Sequence, residues 1–341
     1  MSQSTPQVVV ACAWYNRADY ICDTVDSLLA QDFDNFEVVI VNDGSTDPSV
    51  REVLDSYDDT RLRVIHQDNT GFVGAIRRAI SESSAPYVAI QGAGDISYSS
   101  RLRVQYNALR KDDSLVAVAC CVSQKIYGGH NHGKIEERGV KKNRLDHADF
   151  LDKTPVTHGE VMFKRKVYDH VGEYRHFFKF AQDKDLWLRM TEHGSVLILD
   201  EVLYERRRFV VDGVSTDIEK KILQHRLADF ARQAAVQRSA YGVDIVDKYG
   251  SQSGLFFSPS KNSAKALARA SIKYFLSHDI RSANVLVNLS MADQVTAIGL
   301  VAYAAIKLSE KHPFLIEVVA RVLKLRGIEI KDHLSSRPFI E

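Results

Sequence analysis

Two short apolar runs near the N-terminus, Val8–Ala13 and Phe36–Val41, show no polar alternation. That is the pattern of parallel strands buried on both faces. Between them Tyr20, Ile21, Val25, Leu28 and Leu29 recur at helical spacing, which predicts a helix over Ala18–Gln31. The same rhythm continues. Asp47-Pro48 opens a helix to Tyr57, with a capping carboxylate and a proline in the first turn. Arg61–His66 alternates as a third strand, and Phe72–Ser83 is helical. Ala85–Gln91 is a fourth strand, Ser99–Lys111 a helix, and Leu115–Val122 another buried strand. Strands alternating with helices over this length predict an α/β fold with a mostly parallel, doubly wound sheet.

The pattern dissolves into Gly, His and Lys between Ser123 and Asn143, which reads as an exposed loop or hairpin over the site. It resumes with a short strand at Gly159–Lys164, a helical turn at Lys166–Val171, a helix at Gln182–Arg189, and strands at Ser195–Leu199 and Val202–Arg208. Beyond Ser215 the chain turns helical. Thr216–Tyr241 is followed by a polar linker at Gly250–Ser263, then by amphipathic segments at Ala264–Leu276, Ser282–Leu289, Ala292–Ser309 and Phe314–Leu325. Two regions are therefore expected, an α/β domain over 1–215 and a helical C-terminal extension over 216–341.

Charge and cysteines narrow the classes. Lys and Arg number 45 against 44 Asp and Glu, a formal net charge of +1, which gives no footprint for nucleic acid. Cys12, Cys22, Cys120 and Cys121 lack metal-ligand spacing and read as reduced thiols. The opening MSQSTPQ has no basic segment followed by an apolar core, and no window approaches the ~20 apolar residues needed to span a bilayer. A cytoplasmic protein is expected, with peripheral contact at the inner face of a membrane as an option.

Chemistry is expected at the carboxyl ends of the strands, where open α/β sheets bind ligands. Trp14-Tyr15-Asn16-Arg17 follows the first strand and Asn42-Asp43-Gly44-Ser45 the second. A ring to stack on, a guanidinium and a carboxylate that accepts a base N–H suit a nucleotide. The same residues also serve simply to turn the chain.

In order along the chain, Trp14-Tyr15-Asn16-Arg17, Ser27–Gln31, Val41–Asp47 and Gln182–Arg189 resemble the signature segments of the family 2 glycosyltransferases. The resemblance covers roughly two thirds of the chain. It implies a GT-A fold, Rossmann-like, and inverting transfer of a sugar from a nucleotide-sugar donor to an acceptor hydroxyl. It makes Tyr15 the base-contacting aromatic, Asp43 the acceptor of the base N–H and Asp183 the catalytic base. Ala13, Arg17, Gly71, Arg77, Gly94, Asp95 and Arg207 are expected on the nucleotide-sugar side, and His158 and Trp187 on the acceptor side. In the first turn of a helix a carboxylate is favoured as the anion by about 0.3–1 kcal/mol, which keeps Asp183 ionised though less basic. The alternative is that Asp183 caps the helix and Asp185 is the base, since residues two apart point to different sides.

One departure matters. Relatives carry Asp-x-Asp after the fourth strand to hold a divalent metal on the donor diphosphate, whereas this chain reads Gly92-Ala93-Gly94-Asp95. Where the family has a late histidine ligand, this chain reads Glu205-Arg206-Arg207-Arg208-Phe209. Three arrangements are open. Asp95 holds a weakly bound Mg²⁺ or Mn²⁺; Arg207 or Arg208 replaces the metal; or the site is chemically dead. Glycines at 92 and 94 suit close approach of backbone N–H groups to phosphate, or just a tight turn. His130, His132, His147 and His158 match no standard ligand spacing.

From Lys261 to Glu341 twelve Lys/Arg face seven Asp/Glu, an excess of five positive charges. These helices either form a small bundle, against the catalytic domain or a second copy, or rest a basic amphipathic face on a membrane carrying a lipid-linked acceptor. The leading function is a glycosyltransferase of surface polysaccharide, glycolipid or glycoprotein glycan synthesis. A catalytically silent nucleotide- or sugar-binding module is the second reading. A nucleotidyltransferase is the third, disfavoured because no Gly-rich, Lys/Arg-bearing loop follows the first strand.

Overall fold

The two N-terminal apolar runs form neighbouring parallel strands, β1 (Val8–Trp14) and β2 (Phe36–Asp43), both almost wholly buried. The computed structural model describes residues 5–127, 132–138, 142–209 and 218–312. Its sheet runs β3 (Leu62–Gln67), β2, β1, β4 (Tyr87–Gly92), β9 (Met162–Lys164), β6 (Leu115–Tyr127), β10 (Ser195–Phe209), β5 (Ile96–Ser97). Two further strands, β7 (Ile135–Arg138) and β8 (Arg144–Leu145), pair with β6 and β10. The first four strands are mutually parallel. They are joined through helices α1 (Ile21–Leu29), α2 (Ser49–Asp55) and α3 (Gly71–Ser81), as parallel crossovers require. Beyond β4 the added strands run antiparallel, β9 to both β4 and β6, and β5 to β10.

Side chains alternate across β1. Val8, Val10, Cys12 and Trp14 share a core with α1, with Val50 and Leu54 of α2, and with Leu102 and Leu109 of α4 (Arg101–Lys111). Helix α3 packs against β1 and β2 and buries Val73, Ile76 and Ile80 separately, so both faces of the parallel strands are covered. Short helices α5 (His147–Asp152), α6 (Arg165–His170) and α7 (Gln182–Met190) complete this part.

Two expectations about elements change. The strands foreseen at Ser195–Leu199 and Val202–Arg208 are one strand, β10, because the exposed Asp200-Glu201 pair interrupts the apolar pattern but not the backbone. The region foreseen as an irregular loop or hairpin continues β6 to Tyr127 and pairs it with β7; residues 128–131, with His130, and 139–141 lie outside the described residues.

The chain divides into two compact units, Met1–Lys125 with Lys134–Arg208, and Ile126–Gly133 with Phe209–Glu341. The foreseen boundary at Ser215 and the segment Phe314–Leu325 fall outside the described residues. The second unit contains α8 (Ile218–Tyr241), α9 (Ile245–Tyr249), α10 (Lys261–Leu276), α11 (Ile280–Asp293) and α12 (Ala297–Lys311). Leu267, Tyr274, Phe275, Leu286, Val287, Ala302 and Ile306 of its last three helices share one core. The segment foreseen as Ala292–Ser309 is split: α11 runs on to Asp293, and Thr296 starts α12 afresh by accepting from the Gly299 N–H at 3.1 Å. Among the described residues no helix is long and apolar enough to cross a membrane.

Candidate active site

The rim of the parallel strands is built first by their register. Ala13 of β1 lies level with Val41 of β2 and Gly92 of β4, so the three following loops emerge side by side. Asn16 and Arg17 adopt left-handed backbone angles, φ 55° and 61°, a strained choice for non-glycine residues that is found at functional turns. The turn is held from the neighbouring loop. Asn16 Oδ1 accepts from the N–H groups of Thr46 (2.9 Å) and Asp47 (3.3 Å), and the Asn16 N–H donates to Ser45 Oγ at 2.8 Å. Tyr15 is thereby left 47% exposed on the rim.

Asp43 ends β2 and is buried. Its Oδ1 accepts from Gln67 Nε2 (2.8 Å), the Thr70 N–H (2.8 Å) and Thr70 Oγ1 (3.0 Å). Oδ2 accepts from no donor among the described residues, so one oxygen fixes the carboxylate and the other is available to a ligand N–H. Gly71 follows with φ +78° and begins α3.

The third loop, Gly92–Asp95, is clamped from several sides. Arg17 Nη1 donates to the Ala93 carbonyl at 3.0 Å. Asp95 Oδ2 accepts from the Tyr204 hydroxyl at 2.6 Å, and its Oδ1 from the Arg207 N–H at 2.7 Å. The Tyr204 oxygen also accepts from the Gly92 N–H at 3.0 Å. Behind them lies Arg101, fully buried, donating to the carbonyls of Ile90 (2.8 Å) and Gly159 (2.7 Å) and stacked 4.8 Å from the Tyr204 ring. This guanidinium, desolvated enough for burial to pull its pKa down, pins the third loop to the segment around His158.

The late helix α7 begins after Ala181, another left-handed residue (φ 57°). Its two acidic residues have opposite fates. Asp185 is 2% exposed and ion-paired to Arg175 and to Arg189, the latter at 2.8 Å. Burial alone would raise its pKa, but the two guanidinium groups outweigh it and hold the carboxyl below its ordinary value. Asp183 has no ion pair among the described residues, and burial pushes its carboxyl up to about 6. The N–H groups of Lys184 and of Asp183 itself pull the other way. Helix position was expected to make Asp183 less basic; desolvation wins instead.

Beside Asp183, His158 Nε2 and the Tyr174 hydroxyl share a hydrogen bond of 2.5 Å, and the imidazole lies against Phe72 and Trp187. Burial, aided by the charge of Arg206, pushes the histidine down to about 3, so it stays neutral. Arg206 also bears on Asp95 and Asp183, lowering both. One cation thus lies within electrostatic reach of the third loop, the His158 segment and α7.

This rim, with a nucleotide-ready carboxylate at one end and a poised base at the other, is accompanied by a match of residues 9–172 to the family model described as Glycosyl transferase family 2. The chain carries a family 2 glycosyltransferase domain. It is 28% identical to a glycosyltransferase of Rickettsia felis over 233 residues, 64% of this chain and 36% of that protein. The chain spans between about a third and two thirds of the length of the Rickettsia relatives it matches. Solved structures share the GT-A fold. Staphylococcus aureus TarS 1–349 superposes with a TM-score of 0.53 at 15% identity, over 90% of this chain and 92% of that one. The mannosyltransferase PcManGT of Pyrobaculum calidifontis, solved with GDP-Man and Mn²⁺, gives 0.52 at 18% identity over 96% and 89%.

Within this family 2 domain, hydrogen bonds and charge link Tyr15, Arg17, Asp43, Asp95 and Asp183 into one continuous rim. Three expected residues are employed otherwise. Trp187 is 1% exposed and donates from Nε1 to the Thr157 carbonyl at 3.1 Å, so it supports the acceptor side from the core instead of touching it. Arg77 is ion-paired to Glu173 at 2.5 Å. Arg207 is ion-paired to Asp23 at 2.6 Å and Glu205 at 3.3 Å, and contributes its N–H, not its guanidinium, to the third loop.

The metal expected at Asp95 does not fit these residues. Both carboxylate oxygens accept from protein donors, and Gly92 and Gly94 bring no ligand. A Cβ at Gly92 would lie 2.3 Å from Asp95 Oδ2, so the space an acidic side chain would need there is filled. Among the described residues no three His, Cys, Asp or Glu side chains are grouped to hold a metal. Sequence reasoning missed Tyr204, Arg101 and Arg206. Strand alternation was the available signal for Arg206, which shares a face of β10 with Tyr204.

Proposed function

We propose that this chain is an inverting glycosyltransferase that moves a sugar from a nucleoside-diphosphate donor to a hydroxyl of a glycan or lipid-linked acceptor, in the assembly of a surface polysaccharide, glycolipid or glycoprotein glycan. The base stacks on Tyr15 and donates an N–H to Asp43 Oδ2. Asp183 takes the proton of the acceptor hydroxyl as its oxygen bonds to the anomeric carbon. The bond from that carbon to the diphosphate breaks on the opposite face, and the leaving group keeps the electron pair.

The observation that carries this reading is the contrast within α7: Asp185 is neutralised by two arginines, whereas Asp183 keeps an unpaired carboxyl whose pKa, about 6, suits a general base near neutral pH. Support for the donor class comes from TarS, solved with UDP-GlcNAc, and PcManGT, solved with GDP-Man. Incubating the protein with a panel of nucleotide sugars and following nucleoside-diphosphate release tests the reading. NMR of the transferred or hydrolysed sugar should show the inverted anomer. Retention of configuration, or full activity of Asp183→Asn, would refute it.

The glycines at 92 and 94 favour a second reading, a binding module without turnover. The same panel separates the two, because such a module would bind a nucleotide sugar and release no diphosphate.

A further inference from the structure

Departure of a nucleoside diphosphate concentrates negative charge on the phosphate oxygens, and a transferase must meet that charge with fixed positive groups. The residues at the third loop do not suit a divalent cation, so the positive charge has to come from elsewhere. Three consecutive arginines leave β10 at its end, and the pleat divides them. The pairing of β10 with β5 sets Tyr204 against Ser97 and Glu205 against Ile96, which brings Arg206 level with Asp95. Tyr204 turns its hydroxyl onto Gly92 and Asp95; an added Cβ on Gly159 would lie 2.1 Å from that hydroxyl. Arg206 is two residues further along the same face, about 7 Å along the strand and past the buried ring. Arg207, on the opposite face, is used up by Asp23 and Glu205.

Arg206 is exposed, and among the described residues it makes no ion pair and no hydrogen bond. The nearby carboxylates are otherwise committed or lack its contact: Asp95 is saturated by Tyr204 and Arg207, and Asp183 receives only backbone N–H groups. A cation held over a glycine turn, with no partner of its own, is a binding group waiting for an anion. Gly94, at φ +93°, and Gly92 present backbone without side chains beneath it. Arg17, tied to the Ala93 carbonyl, places a second guanidinium at the other side of the same turn.

We infer that Arg206 grips the donor diphosphate directly, in the position a divalent metal would otherwise fill, so that this enzyme binds and activates its donor without metal. The inference rests on the nucleotide-sugar reading above. A guanidinium pairs with phosphate oxygens in bidentate fashion and carries its charge at every working pH. Its engagement by phosphate also draws its charge away from Asp183, leaving that carboxylate a stronger base once donor is bound.

Titration calorimetry of the full chain with UDP, GDP, ADP, CDP and dTDP, each in EDTA and each with Mg²⁺ or Mn²⁺, tests this. One nucleoside diphosphate should bind with affinities within about threefold in the two buffers. Arg206→Ala should weaken it by about tenfold to a hundredfold, the loss expected for one charge-assisted contact, while the parent nucleoside binds unchanged. Arg206→Lys should recover part of the loss, and the pH–activity midpoint of Arg206→Ala should move up, a change that loss of packing would not produce. Binding only in the metal buffer would overturn the inference and leave the donor reading standing. Metal-independent binding untouched by Arg206→Ala would remove Arg206 from the role. Absence of binding by every nucleoside diphosphate in both buffers would sink the donor reading and this inference with it.

Discussion

Asp183→Asn should abolish transfer and stabilise the fold in the same stroke. The carboxyl's pKa is raised from 3.8 to about 6 by burial, so the folded state holds a proton that the unfolded chain gives up near pH 4. Between those values the folded state binds more protons than the unfolded one, and stability falls as pH rises through the window. Above pH 6 the penalty is complete. At about 1.4 kcal/mol per pH unit it reaches about 3 kcal/mol, an upper bound because the side chain is only half-buried by surface area. Asparagine has the same shape and no charge to desolvate. Its advantage over wild type should therefore be near zero at pH 4, grow to pH 6 and stay level to pH 8. For a unit of this size each kcal/mol corresponds to about 2–4 °C in Tm.

Activity should follow the other limb of the same ionisation. Transfer by the wild type should rise with unit slope on a logarithmic scale and level off above pH 6, with about one molecule in ten carrying the ionised base at pH 5. Thermal unfolding of both proteins from pH 4 to 8, beside a pH–rate profile, checks the two limbs. A Tm difference that does not change with pH, or a wild-type profile flat from pH 5 to 8, would show that this carboxyl is neither strained nor the base.

Asp185→Asn should behave oppositely, losing about 3–5 kcal/mol in urea unfolding at pH 7 because Arg175 and Arg189 keep buried charges without a counterion. A loss below about 1 kcal/mol would mean the clamp does not hold α7. Tyr204→Phe removes the donor to Asp95 and the acceptor of the Gly92 N–H, and should lower stability by about 1–3 kcal/mol and weaken nucleoside-diphosphate binding. Gly159→Ala should reproduce that phenotype without touching the hydroxyl, since its Cβ would lie 2.1 Å from the Tyr204 oxygen. In the helical unit, Ser260→Ala strips the cap of α10 and a 2.7 Å bond to Asp229, and should cost about 1–2 kcal/mol in guanidinium unfolding.

What could be read from the chain alone follows the range of the interactions involved. Periodicity is local, so the apolar strands β1 and β2, their helix and the placement of Tyr15 and Asp43 at the carboxyl rim emerge from neighbouring residues and the rule that α/β sheets bind at that end. The choice between Asp183 and Asp185 is different. It turns on Arg175, which lies in an irregular segment with no period to place it, and on Arg189 one turn away, whose (i, i+4) spacing from Asp185 was the legible half of the clamp. The third loop is harder still. Asp95 as a metal ligand and Asp95 as a saturated structural carboxylate read identically in sequence, because the donors that decide between them, Tyr204 and Arg207, are 109 and 112 residues away. The arginine run shows the limit most clearly. Arg206, Arg207 and Arg208 are the same residue three times, and composition cannot rank them. Only the pairing of Tyr204 with Ser97 sets which of them faces Gly92, and a slip of one residue in that register would hand the diphosphate to Arg207 and send Arg206 to Asp23. The chemistry of this site is therefore a property of strand register, and the cation that carries it becomes identifiable only once a two-residue strand, β5, has found its partner.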